Sequence, residues 1–165
     1  MDYRERHVVV TGGTGALGTA VVGALLEAGA VCHVPYRSEG EAKRFPHGDN
    51  KKVSLVALRD LADEVAVTDF YGGLDQLWAS IHIAGGFAFA PIATSDKALL
   101  LSQLNANLVS AYLCSRAAVA LSMSRRGMRW SHGLAQASPP MRSRKPASRH
   151  LQWRSGRRSR RTMFW

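Results

Sequence analysis

Residues 8–18 read "VVVTGGTGALG", and the rest of the chain is interpreted from this stretch. Three valines run into a Thr-Gly-Gly turn, and a helical pattern follows from Ala16 to Ala28, stopped by Gly29. A short β-branched run ending at glycines suits a strand buried in a parallel sheet. Gly13-x-Gly15-x-x-Gly18 has the spacing of a dinucleotide-binding loop, and the strand before it and helix after it are the context that loop needs. An early glycine permits the tight turn, the next lets backbone approach a pyrophosphate, and Gly18 lets the helix pack close to the strand. The free N–H groups over Thr14, Gly15, Ala16, Leu17 and Gly18, aligned with the helix dipole, then face an anion. The plainer alternative is a turn whose small residues serve packing alone.

Beyond the loop, the pattern alternates. Leu17, Val21, Ala24, Leu25 and Ala28 are expected on one buried face of the first helix. "AVCHVPYRS" and "KKVSLVAL" read as second and third strands, "LADEVAVTDFYGGL" as a helix, and "LWASIHIAGG" as a fourth strand. Ser95 or Asp96 can cap a long helix reaching Leu121, with Leu101, Leu104, Leu108 and Ala111 on its buried stripe. Strands and helices in this order predict an α/β fold: a Rossmann-type doubly wound parallel sheet, incomplete, with spatial strand order 3-2-1-4. The outer edge of strand four is then left without a neighbour, and a half-sheet of this kind is expected to be marginally stable.

Charge divides the chain in two. Residues 1–121 hold 10 Lys+Arg and all 12 Asp+Glu, whereas residues 122–165 hold 12 Lys+Arg and no acid. We therefore expect a nucleotide-binding domain over 1–121 and a basic, low-order, irregular tail over 122–165. A GC-rich gene read out of frame yields such a composition, so a frameshift is the expected origin of the tail. The coding DNA decides this, because an alternative frame without Tyr-x-x-x-Lys beyond that point rules it out. The two cysteines, Cys32 and Cys114, lie in apolar segments and read as reduced core residues. The start shows no secretory signal, and Gly85-Gly86, Pro91 and His82 break the longest apolar stretch, so a cytoplasmic protein is expected.

Several of these residues also resemble a known family. "VVVTGGTGALG" is similar to the opening of short-chain dehydrogenases/reductases, with Gly15 and Gly18 in the TGxxGxxG spacing. "LRDLAD" resembles the family's Asp-x-x-Asp after the third strand, which implies that Asp60, with Leu61 beside it, contacts adenine. "HIAGG" resembles the Asn-Asn-Ala-Gly that closes the fourth strand, which implies a place for Ala84, Gly85 and Gly86 beside the nicotinamide ribose. His82 and Ile83 stand where that motif has its two asparagines. "NANLVSAYLCSRAA" resembles the helix whose asparagine, here Asn107, supports a proton-relay water. The resemblance covers about residues 7–121 and implies hydride transfer between a nicotinamide and a small carbonyl or alcohol substrate. It also implies pairing of subunits through the helix over 96–121.

At the end of the second strand an acid would bind a ribose diol and repel a 2′-phosphate, but "PYRSEG" offers Arg37 and Ser38. This favours NADP, with NAD as the second choice; the alternative is a solvated surface arginine. The proton-handling residues are missing. Family chemistry uses a tyrosine whose phenol is made acidic by a lysine four residues later. The tyrosines are Tyr3, Tyr36, Tyr71 and Tyr112; none follows residue 121 and none has that lysine. Ser131 and Ser138 fall near the family's serine, but no motif fixes either. Asn107 is then the one member of the family's catalytic set present, and an enzyme inactive as written is expected.

Two other readings compete. A non-catalytic NADP(H)-binding or regulatory subunit would keep the glycine loop and dispense with the tyrosine. A nucleic-acid binder would use the arginines of the tail and Trp130, Trp153 and Trp165. No helix, zinc spacing or RNA-binding motif organises that charge, so non-specific adhesion to polyanions is the expectation for it. The six histidines have no metal-ligand spacing, and no metal is expected.

Overall fold

The computed structural model describes residues 2–125. Strand β1 spans His7–Thr11, and helix α1 follows over Ala16–Glu27. Strand β2 is Val31–Tyr36, and a short helix α2 over Glu39–Arg44 leads to β3, Val53–Ala57. Helix α3, Glu64–Gly72, and strand β4, Ala79–His82, come next. Helix α4 is Lys97–Leu104, a π-helical turn occupies Asn105–Val109, and α5 runs over Ser110–Arg125. All strand pairs are parallel, and the sheet has the order β3-β2-β1-β4. The parallel α/β fold and its strand order therefore match the sequence reading.

Strand β1 explains why the sheet forms here. Val8, Val9 and Val10 are each fully buried, because a central parallel strand is covered on both faces. Alternation along the strand sends Val9 towards one layer and Val8 and Val10 towards the other. Val9 meets Val67, Phe70 and Tyr71 of α3 and Leu113 and Cys114 of α5. Val8 and Val10 meet Val22 of α1, Cys32 and Val34 of β2, and Phe45. Both cysteines are free and buried, and burial pushes the Cys32 thiol up to about 11. The Tyr71 hydroxyl is hydrogen-bonded to Ser80 Oγ at 2.7 Å, so this phenol is held in the core.

The helix faces differ from those expected. In α1 the fully buried residues are Gly18 and Val22; of the expected face, Val21 and Leu25 pack against the core and Ala28 is half-buried, while Leu17 is 66% exposed and Ala24 is also exposed. The glycine loop causes this: Gly18 must lie against Gly12 and Gly13, and that fixes the rotation of the whole helix. The long helix begins where expected, with Asp96 Oδ1 accepting from the Leu99 N–H at 2.8 Å. The expected buried stripe is on the wrong side, since Leu101, Leu104 and Leu108 are exposed and Ala111 is only half-buried. The inward line is Ser110, Leu113 and Cys114, continued by Ala117, Ala118 and Leu121. The π turn separates the two halves, so one uninterrupted period does not describe both. Helix α5 continues to Arg125, past the predicted end at Leu121; the basic segment beyond it lies outside the described residues. Among the described residues, no helix is long and apolar enough to cross a membrane.

Two half-buried histidines make stability depend on acid. His7 Nδ1 and His33 Nε2 lie 2.9 Å apart on neighbouring strands. Burial, then the neighbouring His7, lowers the His33 pKa; burial alone lowers that of His82. The fold thus disfavours protonation of both relative to the unfolded chain, whose imidazoles take up protons below about pH 6.5. Folding loses free energy as pH falls through that value. We expect the melting temperature to drop between pH 7.5 and pH 5, with the drop reduced in His33→Phe; a flat profile would contradict this assignment.

Candidate functional site

A cleft of about 690 Å³ opens at the carboxyl ends of all four strands. Such crevices form where a central strand has neighbours on both sides and its loop and its neighbours' loops diverge. Its floor is the turn after β1. Gly12 takes a φ of +73°, and a Cβ there would lie 2.6 Å from the Ala84 nitrogen. The loop after β4 therefore crosses directly against this glycine, and the Ile83 and Ala84 N–H groups both donate to the Thr11 carbonyl at 3.0 Å. Gly18 is packed against the backbone of Gly12 and Gly13. Gly15 differs, because a Cβ there would meet only the Gly12 carbonyl oxygen, at 3.3 Å. Gly15 is also the N-cap of α1, no side chain caps that end, and no acid stands in the first turn. The N–H groups at this end consequently face the cleft without a protein acceptor competing for them from a side chain.

The residues expected to form the site are partly brought together. Gly12, Thr14, Gly15, Ala16, Leu17, Gly18, Arg37, Asp60, Leu61, Ala84 and Gly85 all line the cleft. Gly13 does not; it is buried beneath the loop, where a Cβ would press on Val34 at 2.7 Å, so its role in the structure is close packing. Ser38 does not line it either, and its Oγ accepts from the Glu41 N–H at 3.4 Å as the cap of α2. Gly86 and Asn107 lie off the cleft wall and hold each other. The Asn107 amide donates to the Gly86 carbonyl at 2.8 Å and to Gln103 O at 2.9 Å, and its Oδ1 accepts from the Gly86 N–H at 3.1 Å. Asp60 Oδ1 accepts from the Ala62 N–H at 2.8 Å, which shapes the turn after β3.

The sequence reading missed several residues here. Arg44 and Arg59 line the same end of the cleft as Arg37, and so does Glu41. Asn105, Ala106 and Ser110 close the opposite wall from the π turn and the start of α5. The buried Ser110 hydroxyl is committed to the Ala106 carbonyl at 2.7 Å. None of the chain's four tyrosines lines the cleft. Tyr71 is buried, Tyr36 donates to Glu39 Oε1 at 3.0 Å, Tyr3 stacks edge-on against Trp78, and Tyr112 projects from α5 beside Arg116.

The sequence profile of the short chain dehydrogenase family matches residues 6–128, and the chain belongs to that family. Among solved structures, it is 26% identical to an oxidoreductase of the short chain dehydrogenase/reductase family from Burkholderia thailandensis, with a TM-score of 0.65, over 74% of this chain and 48% of that one. A Tyr-to-Phe variant of ElxO with NADPH bound is 21% identical, TM-score 0.64, over 74% of this chain and 52% of the other. A short chain dehydrogenase from Leptospira borgpetersenii with bound NAD+ is 18% identical, TM-score 0.66, over 77% and 49% respectively. The chain thus spans about half the length of these structures. No curated protein gives a significant match.

Proposed function

We propose that this chain is the coenzyme-binding part of an NAD(P)-dependent oxidoreductase, that it prefers NADP(H), and that it binds the coenzyme without ordinary turnover. The observation that carries the reading is the uncapped N-terminus of α1 over an open Gly15, in a cleft long enough to continue to Arg37 at one end and to Ala84 and Gly85 at the other. In this reading the backbone N–H groups of Thr14, Ala16, Leu17 and Gly18 hold the pyrophosphate, while the Gly15 N–H closes the turn on the Gly12 carbonyl at 3.1 Å. Leu61 and Asp60 flank the adenine, Arg37 serves the adenosine phosphate, and Ala84 and Gly85 form the shelf for the nicotinamide ribose. When bound, the nicotinamide supplies a hydride acceptor or donor. The similar ElxO structure with NADPH supports the coenzyme class, and the one with NAD+ keeps the second coenzyme open.

The absence of a tyrosine from the cleft supports binding without turnover. A carbonyl being reduced needs a proton at its oxygen as hydride arrives, and a positioned acid is worth roughly a hundredfold to ten-thousandfold in rate. Asn107 would act as a positioning residue, fixing the Gly86 backbone beside the shelf. The non-catalytic subunit reading describes the same state, and a stable oligomer with a defined coenzyme dissociation constant would favour it. NADPH oxidation should be followed with simple ketones, aldehydes and quinones. We expect rates indistinguishable from the protein-free background, and robust turnover with any of them would refute the proposed inactivity.

A further inference from the structure

The adenosine end of the cleft carries an acid that the strand-end sequence conceals. Glu41 sits in the first turn of α2, four residues after Arg37, and its side chain folds back on the end of β2. Its Oε2 accepts from the Arg37 backbone N–H at 3.1 Å, and its Oε1 lies 3.4 Å from Arg37 Nη2. The carboxylate is 24% exposed, whereas the Arg37 side chain is 77% exposed. The acid is therefore the enclosed member of the pair, and the guanidinium is the exposed one. Both line the cleft.

We infer that Glu41 is a specificity-determining residue that holds down the affinity for 2′-phosphorylated coenzyme and keeps the site open to the unphosphorylated one. The inference rests on the coenzyme-binding reading above. A carboxylate in this place does two things with opposite consequences. It can accept a hydrogen bond from a ribose hydroxyl, which favours a free diol. It also occupies the guanidinium that a 2′-phosphate would require, and it repels that phosphate directly. The nearby Arg44 and Arg59 offset part of the repulsion, so the expected result is discrimination between two coenzymes and not exclusion of either.

The test uses the full chain, with dissociation constants for NADPH and NADH measured separately by tryptophan fluorescence. In Glu41→Gln the Arg37 N–H retains an acceptor while the charge is removed. We expect NADPH to bind about tenfold more tightly, with NADH unchanged or weaker. Glu41→Ala should shift the ratio in the same direction, which guards against a defect peculiar to glutamine. Glu39→Gln is the control for net charge: its carboxylate bonds the Tyr36 hydroxyl and lies off the cleft, so the ratio should stay put. If both coenzymes bind the native chain and Glu41→Gln leaves their ratio within twofold, moves it towards NADH, or only matches Glu39→Gln, the inference is overturned while the coenzyme reading stands. If neither coenzyme binds the native chain, the coenzyme reading falls and takes this inference with it.

Discussion

Gly18→Ala should lower the melting temperature by roughly 10 °C or more, the largest single effect expected anywhere in the described residues. The added methyl would overlap the Gly12 carbonyl oxygen and stand 2.5 Å from Gly13 Cα and 2.8 Å from Gly12 C. All three obstacles are backbone, so no side chain can swing aside to make room. Relief requires α1 to move away from the turn, and α1 carries Val22 into the cluster of Val8, Val10, Cys32 and Val34. Overpacking of this kind costs about 3 kcal/mol, a large share of the stability of any single domain. Denaturation followed by circular dichroism checks this, and a variant as stable as the parent would mean that the helix does not lie against the loop as described.

Arg37→Ala carries the second large effect, and it concerns binding instead of folding. The side chain is 77% exposed at the end of β2 and, among the described residues, pairs with Glu41, so its removal should leave the melting temperature within a degree or two. A charge-assisted contact to a phosphate contributes about 1.5–3 kcal/mol, which corresponds to a loss of roughly tenfold to a hundredfold in NADPH affinity. NADH has no 2′-phosphate and should be little affected. The measured quantity is the ratio of the two dissociation constants. An unchanged ratio would remove the basis for assigning NADP(H) as the preferred coenzyme.

Much of the fold was legible from residues that are constrained from two sides. Val8 to Val10 could be read as a central strand because a strand covered on both faces has no polar position to confuse the pattern. The glycine spacing marked the turn for a similar reason, since Gly12 at positive φ and Gly18 against backbone leave no room for other residues. Helix orientation was less legible. Residues 16–28 are apolar on most sides, so hydrophobicity did not distinguish Leu17 from Gly18, and the tightest contact was made by the residue with no side chain. In the long helix the leucines drew attention to the outward face, while the inward face is built on Ser110, Cys114 and alanines. The π turn at Asn105–Val109 has no sequence signature that periodicity can detect.

The site followed the same division. Residues attached to the strand ends, such as Gly15, Arg37, Asp60 and Ala84, were found at the cleft because strand order alone carries them there. Glu41 was missed because it reaches the cleft through a helical turn that the sequence reading treated as connection; the i,i+4 spacing of Arg37 and Glu41 was the available signal. Arg44 and Arg59 flank the cleft for related reasons, and their charge became meaningful only once β2 and β3 were known to lie side by side.

The central claim is that the amide groups at the start of α1 grip a dinucleotide. Isothermal titration of the purified, folded chain with NADPH and then NADH tests it most directly. The account predicts saturable binding of both at one site per chain, tighter for NADPH, and abolished when Gly15→Leu fills the open side of the loop without unfolding it. Absence of binding heat for either coenzyme at several temperatures, with the fold verified in the same sample, would contradict it.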